Sequence, residues 1–279
     1  MREVYIGAKN AVYQKFEVLK TNRNKRYRYG EFLVEGVRSL NEALACGWEI
    51  RSLIYPDAAL SGWAREYIES TDCGTNYKLS PELMRELSGK TDTSEMMAVI
   101  AMREDNLEKV KLSANPFIVL FDRPSNRGNL GTLIRSCDAL GADLLIMTGH
   151  AVDLYDPEVV VSAMGSFFKL PVVRLDDNNK LWEYVARLKS EYPDFSVIGT
   201  TAHRQHPVWD APLDKPFLLM IGNETMGLNA AFKEKCDLLA TIPMAPDSYA
   251  TSFNVSCAAT ALMYEAVRQR EKLCVRNEK

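Results

Sequence analysis

The sequence predicts an α/β protein made of two blocks, the second of which is built on a parallel sheet. Near-continuous apolar segments such as "FIVLFD" (117–122) and "FLLMIG" (217–222) alternate with segments of helical periodicity. This alternation is typical of parallel strands that are covered on both faces. The polar run 103–115 separates this part from a smaller α/β block before it. At 279 residues, the chain is long enough for a sizeable core.

The first block predicts an N-terminal domain over residues 1–105, followed by a linker over 106–115. In chain order, the patterns predict a helix over 11–21, the strand "EFLVEG", a helix over 37–45, the strand "IRSLIY", helices near 63–70 and 81–87, and the strand "MMAVIAM". In the first helix, Val12, Phe16 and Leu19 share one face.

The second block predicts a larger domain over residues 116–279. Strands are predicted at 117–122, 142–147, 171–175, 195–201, 217–222 and 238–244, and helices at 130–140, 157–169, 179–191, 229–236 and 254–272. The last helix has the clearest pattern, because apolar residues recur at i, i+3, i+4, i+7 and i+8 from Val255.

Composition narrows the class of protein. Charged residues make up 25% and the net charge is −3, so a nucleic-acid partner would need a local basic patch. No apolar run approaches the ~18 residues of a membrane span, and the first residues lack the apolar core of a secretory signal. We therefore expect a cytoplasmic protein without a membrane partner. The six cysteines are scattered without a C-x-x-C pair, so no metal site is predicted.

Three polar loops follow strands of the second block, at the sheet edge where open parallel sheets bind ligands. The first loop, in "RPSNRGNLGTLIRSCDALGAD", carries Asn126 and two glycines just before a helix, so free N–H groups would face the crevice. It lacks the third glycine of a dinucleotide fingerprint. Arg135 falls at the edge of the buried face of that helix, where it could also form an ordinary i,i+3 pair with Asp138.

The second and third loops repeat this arrangement. In "LLMIGNETMGLNAAF", Gly222 permits a tight backbone approach, and Glu224 places a carboxylate at a helix entrance, where it could also be a simple first-turn charge. In "IPMAPDSYATSFNVSCAATALMYEA", Ser252 and Asn254 precede the last helix, and either could be its N-cap. Caps alone do not explain three such loops at the ends of three strands of one sheet.

Taken together, "NRGNLGTLIRSCDALGAD", "LLMIGNETMGL" and "IPM…SFNVSCAA" resemble the three ordered motifs of the SpoU/TrmH family of RNA ribose 2′-O-methyltransferases, within the knotted SPOUT superfamily. The resemblance covers essentially the whole chain. The segments "LKTNRNKRYRYGEFLVEGVRSLNEAL" and "LSPELMRELSGKTDTSEMMAVIAM" are similar to the family's N-terminal RNA-binding domain, which has a ribosomal-protein-like fold.

The resemblance implies that residues 116–279 form a Rossmann-like SPOUT methyltransferase domain with a deep trefoil knot at its carboxyl end, and that S-adenosylmethionine binds against that knot. By position, it assigns the cofactor to Thr200, Gly222, Ile242, Met244 and Phe253, where Gly222 would leave room for the ligand. It assigns the polar active-site positions to Asn126, Arg135, Glu224, Ser252 and Asn254. The family usually has Leu where Phe253 stands, and the loop before "SFNVS" is about two residues longer here.

The implied chemistry is alignment of a sulfonium methyl with a ribose hydroxyl, which can lower a barrier by as much as about 7 to 11 kcal/mol. A guanidinium stays protonated in ordinary protein environments, which argues against Arg135 as a literal base. Our hypothesis is that Arg135 binds the adjacent phosphate and stabilises the developing oxyanion, with Glu224 and Asn126 orienting it.

RNA binding is expected at a basic cluster interleaved with Tyr27 and Tyr29. Its predicted contacts are Lys15, Lys20, Arg23, Lys25, Arg26, Arg28 and Arg38. The competing interpretation of this cluster is a solvated charged loop.

The resemblance favours 23S ribosomal RNA as the substrate because of the extra N-terminal domain, with transfer RNA as the alternative. A non-catalytic RNA-binding protein that kept the fold is a further possibility, and so is a nucleotide-dependent dehydrogenase, which the missing third glycine disfavours. The family is typically homodimeric, and the last helix could supply the interface.

Overall fold

The computed structural model describes residues 2–203 and 206–277, the last six of them by backbone alone. Twelve strands are formed in this part of the chain: β1 (Arg2–Ile6), β2 (Glu31–Glu35), β3 (Ile50–Pro56), β4 (Thr75–Leu79), β5 (Met97–Ala101), β6 (Phe117–Asp122), β7 (Leu144–Thr148), β8 (Val172–Leu175), β9 (Ser196–Thr200), β10 (His206–Pro207), β11 (Phe217–Ile221) and β12 (Leu238–Thr241).

Eleven α-helices accompany them in the described residues: α1 (Ala11–Thr21), α2 (Arg23–Tyr29), α3 (Val37–Ala45), α4 (Gly62–Ser70), α5 (Pro81–Ser88), α6 (Arg127–Ala139), α7 (Pro157–Ala163), α8 (Ser166–Lys169), α9 (Asn178–Glu191), α10 (Ala230–Lys233) and α11 (Val255–Asn277). Single 3-10 turns occupy Leu107–Lys109 and Val208–Asp210. The chain forms two compact units, Met1–Arg103 with Asp153–Lys169, and Glu104–Val152 with Leu170–Lys279.

The first unit is built on a mixed sheet with the strand order β1-β4-β3-β5-β2. The pairs β1–β4 and β3–β4 are parallel, whereas β5 runs antiparallel to both of its neighbours. The predicted strands β2, β3 and β5 are present. The sequence patterns missed β1 and β4, whose residues alternate irregularly, and they missed α2, which was interpreted as a charged loop.

Residues Asp153–Lys169 belong to the first unit, although the sequence pattern placed a helix over 157–169 in the second block. An aromatic cluster explains this position: the Phe167 ring lies 5.7 Å from the Phe32 ring, and the indole N–H of Trp48 donates to the Phe168 carbonyl at 2.8 Å. The single predicted helix is also interrupted. Met164 has a φ of 54°, and a Cβ at Gly165 would clash with Cγ of Glu42.

The second unit has a seven-stranded sheet in which every pair is parallel, as the apolar segments predicted. The strand order is β10-β12-β9-β11-β6-β7-β8. Each residue of β6, β7 and β11 is buried, because helices cover both faces. Helix α11 packs on α6, where Ser136 Oγ and Thr260 Oγ1 are 2.8 Å apart and Cys137 Sγ lies 3.7 Å from Met263 Sδ.

The strand order decides where the functional loops lie. Strands β12, β9, β11 and β6 are parallel neighbours, so the segments that leave their carboxyl ends share one edge of the sheet. Helix α10 is shorter than the predicted 229–236, and α6 begins earlier than predicted, at Arg127. In the part of the chain that the structure describes, no helix is long and apolar enough to cross a bilayer.

The described cysteines, Cys46, Cys73, Cys137, Cys236 and Cys257, are free thiols. Cys274 lies outside the described side chains. Burial raises the pKa of Cys236 to about 11, so this thiol is protonated near neutral pH.

Candidate active site

The loops at the carboxyl ends of β9, β11 and β12 and the segment before α11 enclose a cavity of about 390 Å³. All five residues that the resemblance assigns to the cofactor line this cavity: Thr200, Gly222, Ile242, Met244 and Phe253. Glu224 and Ser252 line it as well. A cavity of this size is within the range that holds a small-molecule ligand. Residues from four separate stretches of the sequence therefore meet around one space.

Gly222 is required by the protein's own backbone. A Cβ at this position would overlap the backbone nitrogen of Leu228 and the carbonyl carbon of Gly227. We expected Gly222 to leave room for a ligand, and that reason is wrong. The space that a side chain at this position would occupy is filled by the loop's own backbone. The loop is closed by paired backbone bonds between Asn223 and Gly227, at 3.1 and 3.0 Å, and Gly227 has a left-handed φ of 68°.

The Asn223 side chain holds the same loop from two sides. Its amide nitrogen donates to the Arg123 carbonyl at 2.7 Å. Its Oδ1 accepts from the backbone N–H groups of Thr225 and Met226, both at 2.9 Å. Asparagine satisfies both needs because it carries a donor and an acceptor on one short side chain.

The buried carboxylate of Asp122, at the end of β6, also stabilises this loop. Asp122 is 2% exposed and accepts from Arg123 Nη2 at 2.8 Å and from the backbone N–H of Asn229 at 3.0 Å. Arg123 Nη2 also donates to the Gly227 carbonyl at 3.2 Å, and Arg123 adopts a φ of 50°, which is uncommon outside glycine. The hydrogen bond to Asp122 raises the pKa of Arg123. The sequence motifs singled out neither residue.

Glu224 joins the β11 loop to the β6 loop. Its Oε2 accepts from Ser125 Oγ at 2.6 Å and from Ser125 N at 3.0 Å, and its Oε1 accepts from Asn126 N at 3.1 Å. Burial alone would raise the pKa of Glu224, but the hydrogen bonds from Ser125 and Asn126 outweigh it and lower that pKa. The carboxylate is therefore ionised near neutral pH and acts as an acceptor.

Asn129 is the residue that links all three motifs, and it was not among the predicted site residues. Its Nδ2 lies 3.4 Å from Glu224 Oε1, its Oδ1 accepts from Asn254 Nδ2 at 3.1 Å, and its carbonyl accepts from Ser256 Oγ at 2.8 Å. The signal was present as a second asparagine in "NRGNLG", but its partners are far away in sequence.

Asn126 and Asn254 are both helix N-caps, which was the structural interpretation considered for Asn254. Asn126 Oδ1 accepts from Asn129 N at 2.9 Å at the start of α6, and Asn254 Oδ1 accepts from Ser256 N at 3.0 Å at the start of α11. The caps and the network coexist, because Asn254 uses its oxygen for the helix and its nitrogen for Asn129.

Arg135 stands outside this network. It is exposed on α6, it does not line the cavity, and neither Glu224 nor Asn126 is among its contacts in the described residues. The structure therefore contradicts the expectation that these two residues orient Arg135, because Glu224 accepts from Ser125 and Asn126 accepts from Asn129.

Ser252, the remaining polar residue of the predicted site, is exposed and lines the cavity. It lies two residues before the Asn254 cap, at the point where the chain passes from the cavity wall into α11. Its hydroxyl is therefore open to a ligand or to solvent.

The predicted RNA contacts in the first unit divide into three groups, the last of which is Arg26 alone. Arg23, Arg28 and Arg38 are exposed, and Lys25 is half-buried. Lys15 is paired with Glu31 at 2.6 Å, and Lys20 donates to the Leu87 and Ser88 carbonyls at the end of α5. Burial lowers the pKa of Lys20. These two lysines therefore have intramolecular partners already.

Arg26 is not available to a phosphate in this structure. Its side chain is 2% exposed and pairs with Asp153, with Nη2 and Oδ2 2.6 Å apart, while Nη1 donates to the Leu19 carbonyl at 2.9 Å. The Tyr27 hydroxyl donates to the same carboxylate at 2.7 Å. Arg26 is therefore a structural residue of the first unit, and its prediction as an RNA contact is wrong.

Comparison with known proteins identifies the family of this chain. Residues 116–264 match the SpoU rRNA Methylase family, and residues 10–98 match the SpoU L30e-like domain. The chain is 43% identical over 267 residues to the 23S rRNA (uridine(2479)-2′-O)-methyltransferase of Streptomyces viridochromogenes, covering 95% of this chain and 92% of that protein. It is 31% identical over 261 residues to the 23S rRNA (guanosine(2553)-2′-O)-methyltransferase RlmP of Bacillus subtilis, covering 92% and 96%.

A solved structure agrees in fold over nearly the same range. The SpoU methyltransferase AviRb from Streptomyces viridochromogenes, in complex with the cofactor AdoMet, superposes with a TM-score of 0.87 at 42% identity, covering 94% of this chain and 100% of that one. Both the sequence matches and the structural match extend across the two units. The chain belongs to the SpoU rRNA methylase family.

Proposed function

We propose that this protein transfers a methyl group from S-adenosylmethionine to a ribose 2′-hydroxyl of 23S ribosomal RNA. The observation that carries the proposal is the single cavity lined by all five residues assigned to the cofactor. Family membership over both units supports it, since relatives that are 43% and 31% identical are 23S rRNA 2′-O-methyltransferases. The identity of the target nucleotide differs between those two relatives, so none is transferred to this chain.

The lining of the cavity suits a ligand with an apolar body and polar ends. Ile221, Ile242 and Leu262 supply apolar surface, and Thr200, Thr201 and Thr241 supply hydroxyl groups. Residues 223–228 also line the cavity, but the N–H groups of Asn223, Thr225, Met226 and Gly227 already donate within the loop, so they fix its shape. S-adenosylmethionine supplies an activated methyl group, and the residues around the cavity would hold it.

The hydrogen-bonded network fixes the loops that line the cavity. Glu224 and Asn129 connect the β6 loop, the β11 loop and the start of α11. Glu224 is ionised and its oxygens already accept bonds from Ser125 and Asn126, so we assign it to positioning of the loops. Ser252 and Asn254 are proposed to lie beside the reacting ribose, since Ser252 lines the cavity and Asn254 adjoins the network.

Arg135 is proposed to bind a phosphate next to the target ribose and to stabilise negative charge that develops on the 2′-oxygen. Its exposure supports this role, because an unburied guanidinium can be reached by RNA. Positioning of Arg135 would then come from the substrate, since its expected protein partners are engaged elsewhere.

The test is methyl transfer from labelled S-adenosylmethionine to purified unmodified 23S rRNA, 16S rRNA and bulk transfer RNA, followed by mapping of 2′-O-methylated riboses. We expect a modified ribose in 23S rRNA. Modification of transfer RNA alone would favour a transfer-RNA enzyme. Binding of S-adenosylmethionine in a calorimeter separates an enzyme from a non-catalytic RNA-binding protein, which would bind RNA without binding the cofactor.

RNA recognition is proposed to involve the exposed basic residues of the first unit, Arg23, Arg28 and Arg38, with Lys25 beside them. Tyr29 is 44% exposed and could stack on an unpaired base. Since RNA is the proposed substrate, the cytoplasm is the proposed location.

We further propose a homodimer formed through the C-terminal part of the chain and a trefoil knot around residues 242–254, both implied by the family resemblance. The face of α11 that carries Cys257, Ala261 and Tyr264 is exposed, and Tyr264 is 62% exposed. Sedimentation equilibrium would measure the mass, and Tyr264→Arg should favour the monomer. An experimental structure with an unthreaded path over 242–254 would contradict the knot.

A further inference from the structure

The rim of the cavity carries exposed apolar side chains that neither the loops nor the proposed cofactor contacts explain. Met226, in the loop after β11, is 75% exposed, and Tyr249, in the loop before α11, is fully exposed. Met226 lines the cavity, whereas Tyr249 is two residues before Thr251, which does. Two residues span at most about 7 Å, so Tyr249 stands beside the cavity rim.

The loop around Tyr249 has a defined shape. Ser248 N donates to the Ala245 carbonyl at 3.1 Å, and Ala250 N donates to Ser248 Oγ at 3.1 Å. Tyr249 follows the turn formed by 245–248 and lies between the two residues of the latter bond. Its large aromatic side chain exposes apolar surface to water beside the cavity, which is typical of a contact surface.

The chemistry of the substrate identifies what reaches this rim. In a ribonucleotide the base is attached to C1′, next to the C2′ that bears the hydroxyl to be methylated. A ribose presented to the cavity therefore brings its base to the surrounding surface. Unpaired bases in RNA are commonly recognised by stacking on aromatic side chains. Asp247, which is exposed near Tyr249, makes a phosphate an unfavourable neighbour there.

We propose that Tyr249 and Met226 form the surface on which the base of the methylated nucleotide packs, with Tyr249 stacking on the base. The proposal rests on the proposed RNA ribose methylation and adds residues that recognise the target nucleotide. Tyr249 belongs to the segment between β12 and α11, other residues of which line the cavity.

The first experiment measures KM and kcat for an RNA fragment that contains the mapped target, at saturating S-adenosylmethionine. Tyr249→Ala should raise the KM for RNA about tenfold, in line with the cost of losing one base–aromatic stack, and the Met226→Ala/Tyr249→Ala pair should raise it further. Tyr249→Phe keeps the ring and should recover most of the loss. Calorimetry should find the cofactor affinity of Tyr249→Ala within about twofold of the unaltered protein. Tyr5→Ala is the matched control, because Tyr5 is 59% exposed but lies on β1.

The second experiment uses an RNA with an abasic target nucleotide that keeps its ribose and 2′-hydroxyl. Relative to the intact RNA, the abasic RNA should lower kcat/KM about tenfold for the unaltered protein. For Tyr249→Ala the decrease should be no more than about twofold, because this variant lacks the ring on which the base would stack. Equal losses for both proteins would overturn the proposal, as would an unchanged KM in Tyr249→Ala. A lowered mass of Tyr249→Ala in sedimentation would instead assign the rim to a second copy of the chain. Absence of methylation by the unaltered protein on every RNA would refute the proposed function itself.

Discussion

Glu224 and Arg135 carry opposite charges in the candidate site, and their surroundings differ. The carboxylate of Glu224 is held by Ser125 and Asn126, whereas the guanidinium of Arg135 is exposed on α6. A charged group that is hydrogen-bonded within the protein stabilises the fold, whereas an exposed charged group can contact the substrate. Substitution of Glu224 should therefore lower the stability of the protein, whereas substitution of Arg135 should lower its activity.

Glu224→Gln should lower the unfolding temperature at pH 7 by about 3 °C, because the amide accepts weaker bonds than the carboxylate. The pKa of Glu224 is lowered, so its stabilising effect is complete above the ordinary carboxyl pKa of 4.5 and is lost as the pH falls through the folded-state value. Calorimetric scans at pH 7 and at pH 3 should find a difference between the two proteins mainly at pH 7. An equal difference at both values would contradict an ionised Glu224.

Arg135→Ala should abolish methyl transfer while the affinity for S-adenosylmethionine stays within a few-fold, since Arg135 does not line the cavity. Transfer of labelled methyl and cofactor calorimetry measure the two quantities. Arg65→Ala, which removes an exposed arginine of α4, serves as the control for loss of positive charge. A nearly active Arg135→Ala enzyme would refute the role proposed for this residue.

Among single residues, the sequence predicted those whose position follows from a motif. The five proposed cofactor residues line one cavity because they lie at the carboxyl ends of β9, β11 and β12 or in the segment between β12 and α11. Asn129 was missed because its importance depends on Asn254, which only folding brings within 3.1 Å. Arg26 was misassigned because burial against Asp153 is equally invisible in the local sequence.

At the scale of elements, the β11 loop and helix α2 depend on different backbone features. The loop returns so closely that only a glycine fits at position 222, whereas α2 is bounded by the Asn22 cap and by Gly30 with a φ of 63°. Asn22 and Gly30 are standard helix boundary signals, so the sequence did contain evidence for α2. The helix was missed because its residues are mostly charged and lack an apolar periodicity.

Gly222→Ala should abolish binding of S-adenosylmethionine, because the added Cβ would overlap the Leu228 nitrogen and displace a loop that lines the cavity. Calorimetric titration measures the affinity, and circular dichroism checks that the protein stays folded. Gly62→Ala is the matched control, since no atom lies within 4 Å of a Cβ added there in the described residues. Unchanged cofactor affinity in Gly222→Ala would show that displacement of this loop does not affect binding of S-adenosylmethionine.

Arg26→Ala should lower the free energy of unfolding by about 3–5 kcal/mol, because it leaves the buried Asp153 carboxylate without its main partner. Arg28→Ala, two residues later on the exposed side of α2, should leave stability within about 0.5 kcal/mol. Urea titration measures both. A stable Arg26→Ala protein with weakened RNA binding would return Arg26 to the RNA contacts.

Other differences between predicted and observed elements have local causes. The predicted helix over 157–169 ends early because Met164 turns to a positive φ and Gly165 lies against Glu42. Strands β6, β7 and β11 were predicted well because they are almost wholly apolar, whereas the two-residue β10 was not predicted, because it has no apolar run. Strand β1 was missed because four of its five residues are exposed or half-buried, which leaves no apolar run to detect.

At the scale of the whole molecule, the net charge of −3 provides no overall attraction for RNA, so we propose that the affinity comes from local basic residues such as those of the first unit. The affinity for 23S rRNA fragments should therefore fall steeply with salt. The slope of log affinity against log salt should become less steep by about 0.7 for each of Arg23, Arg28 and Arg38 that is changed to Ala. Filter binding between about 50 and about 200 mM salt measures this slope. A slope that is unchanged in the triple variant would exclude these residues as phosphate contacts.

The sequence predicted two α/β regions and the parallel sheet of the second, and both are present. The domain bounds 1–105, 106–115 and 116–279 stay a prediction. The compact units do not follow them throughout, because Phe167 and Phe168 pack with Phe32 and Trp48 of the first unit. Local periodicity predicted that helical segment but contained no information on which unit it would join.

Because Asp153–Lys169 belongs to the first unit, the polypeptide passes from one unit to the other more than once. A recombinant fragment that starts at residue 116 would keep Phe167 and Phe168 but lose the Trp48 indole and the Phe32 ring that cover them. Such a fragment would therefore expose two buried aromatic rings to water and should aggregate. Expression of the whole chain keeps these rings together with the side chains that cover them.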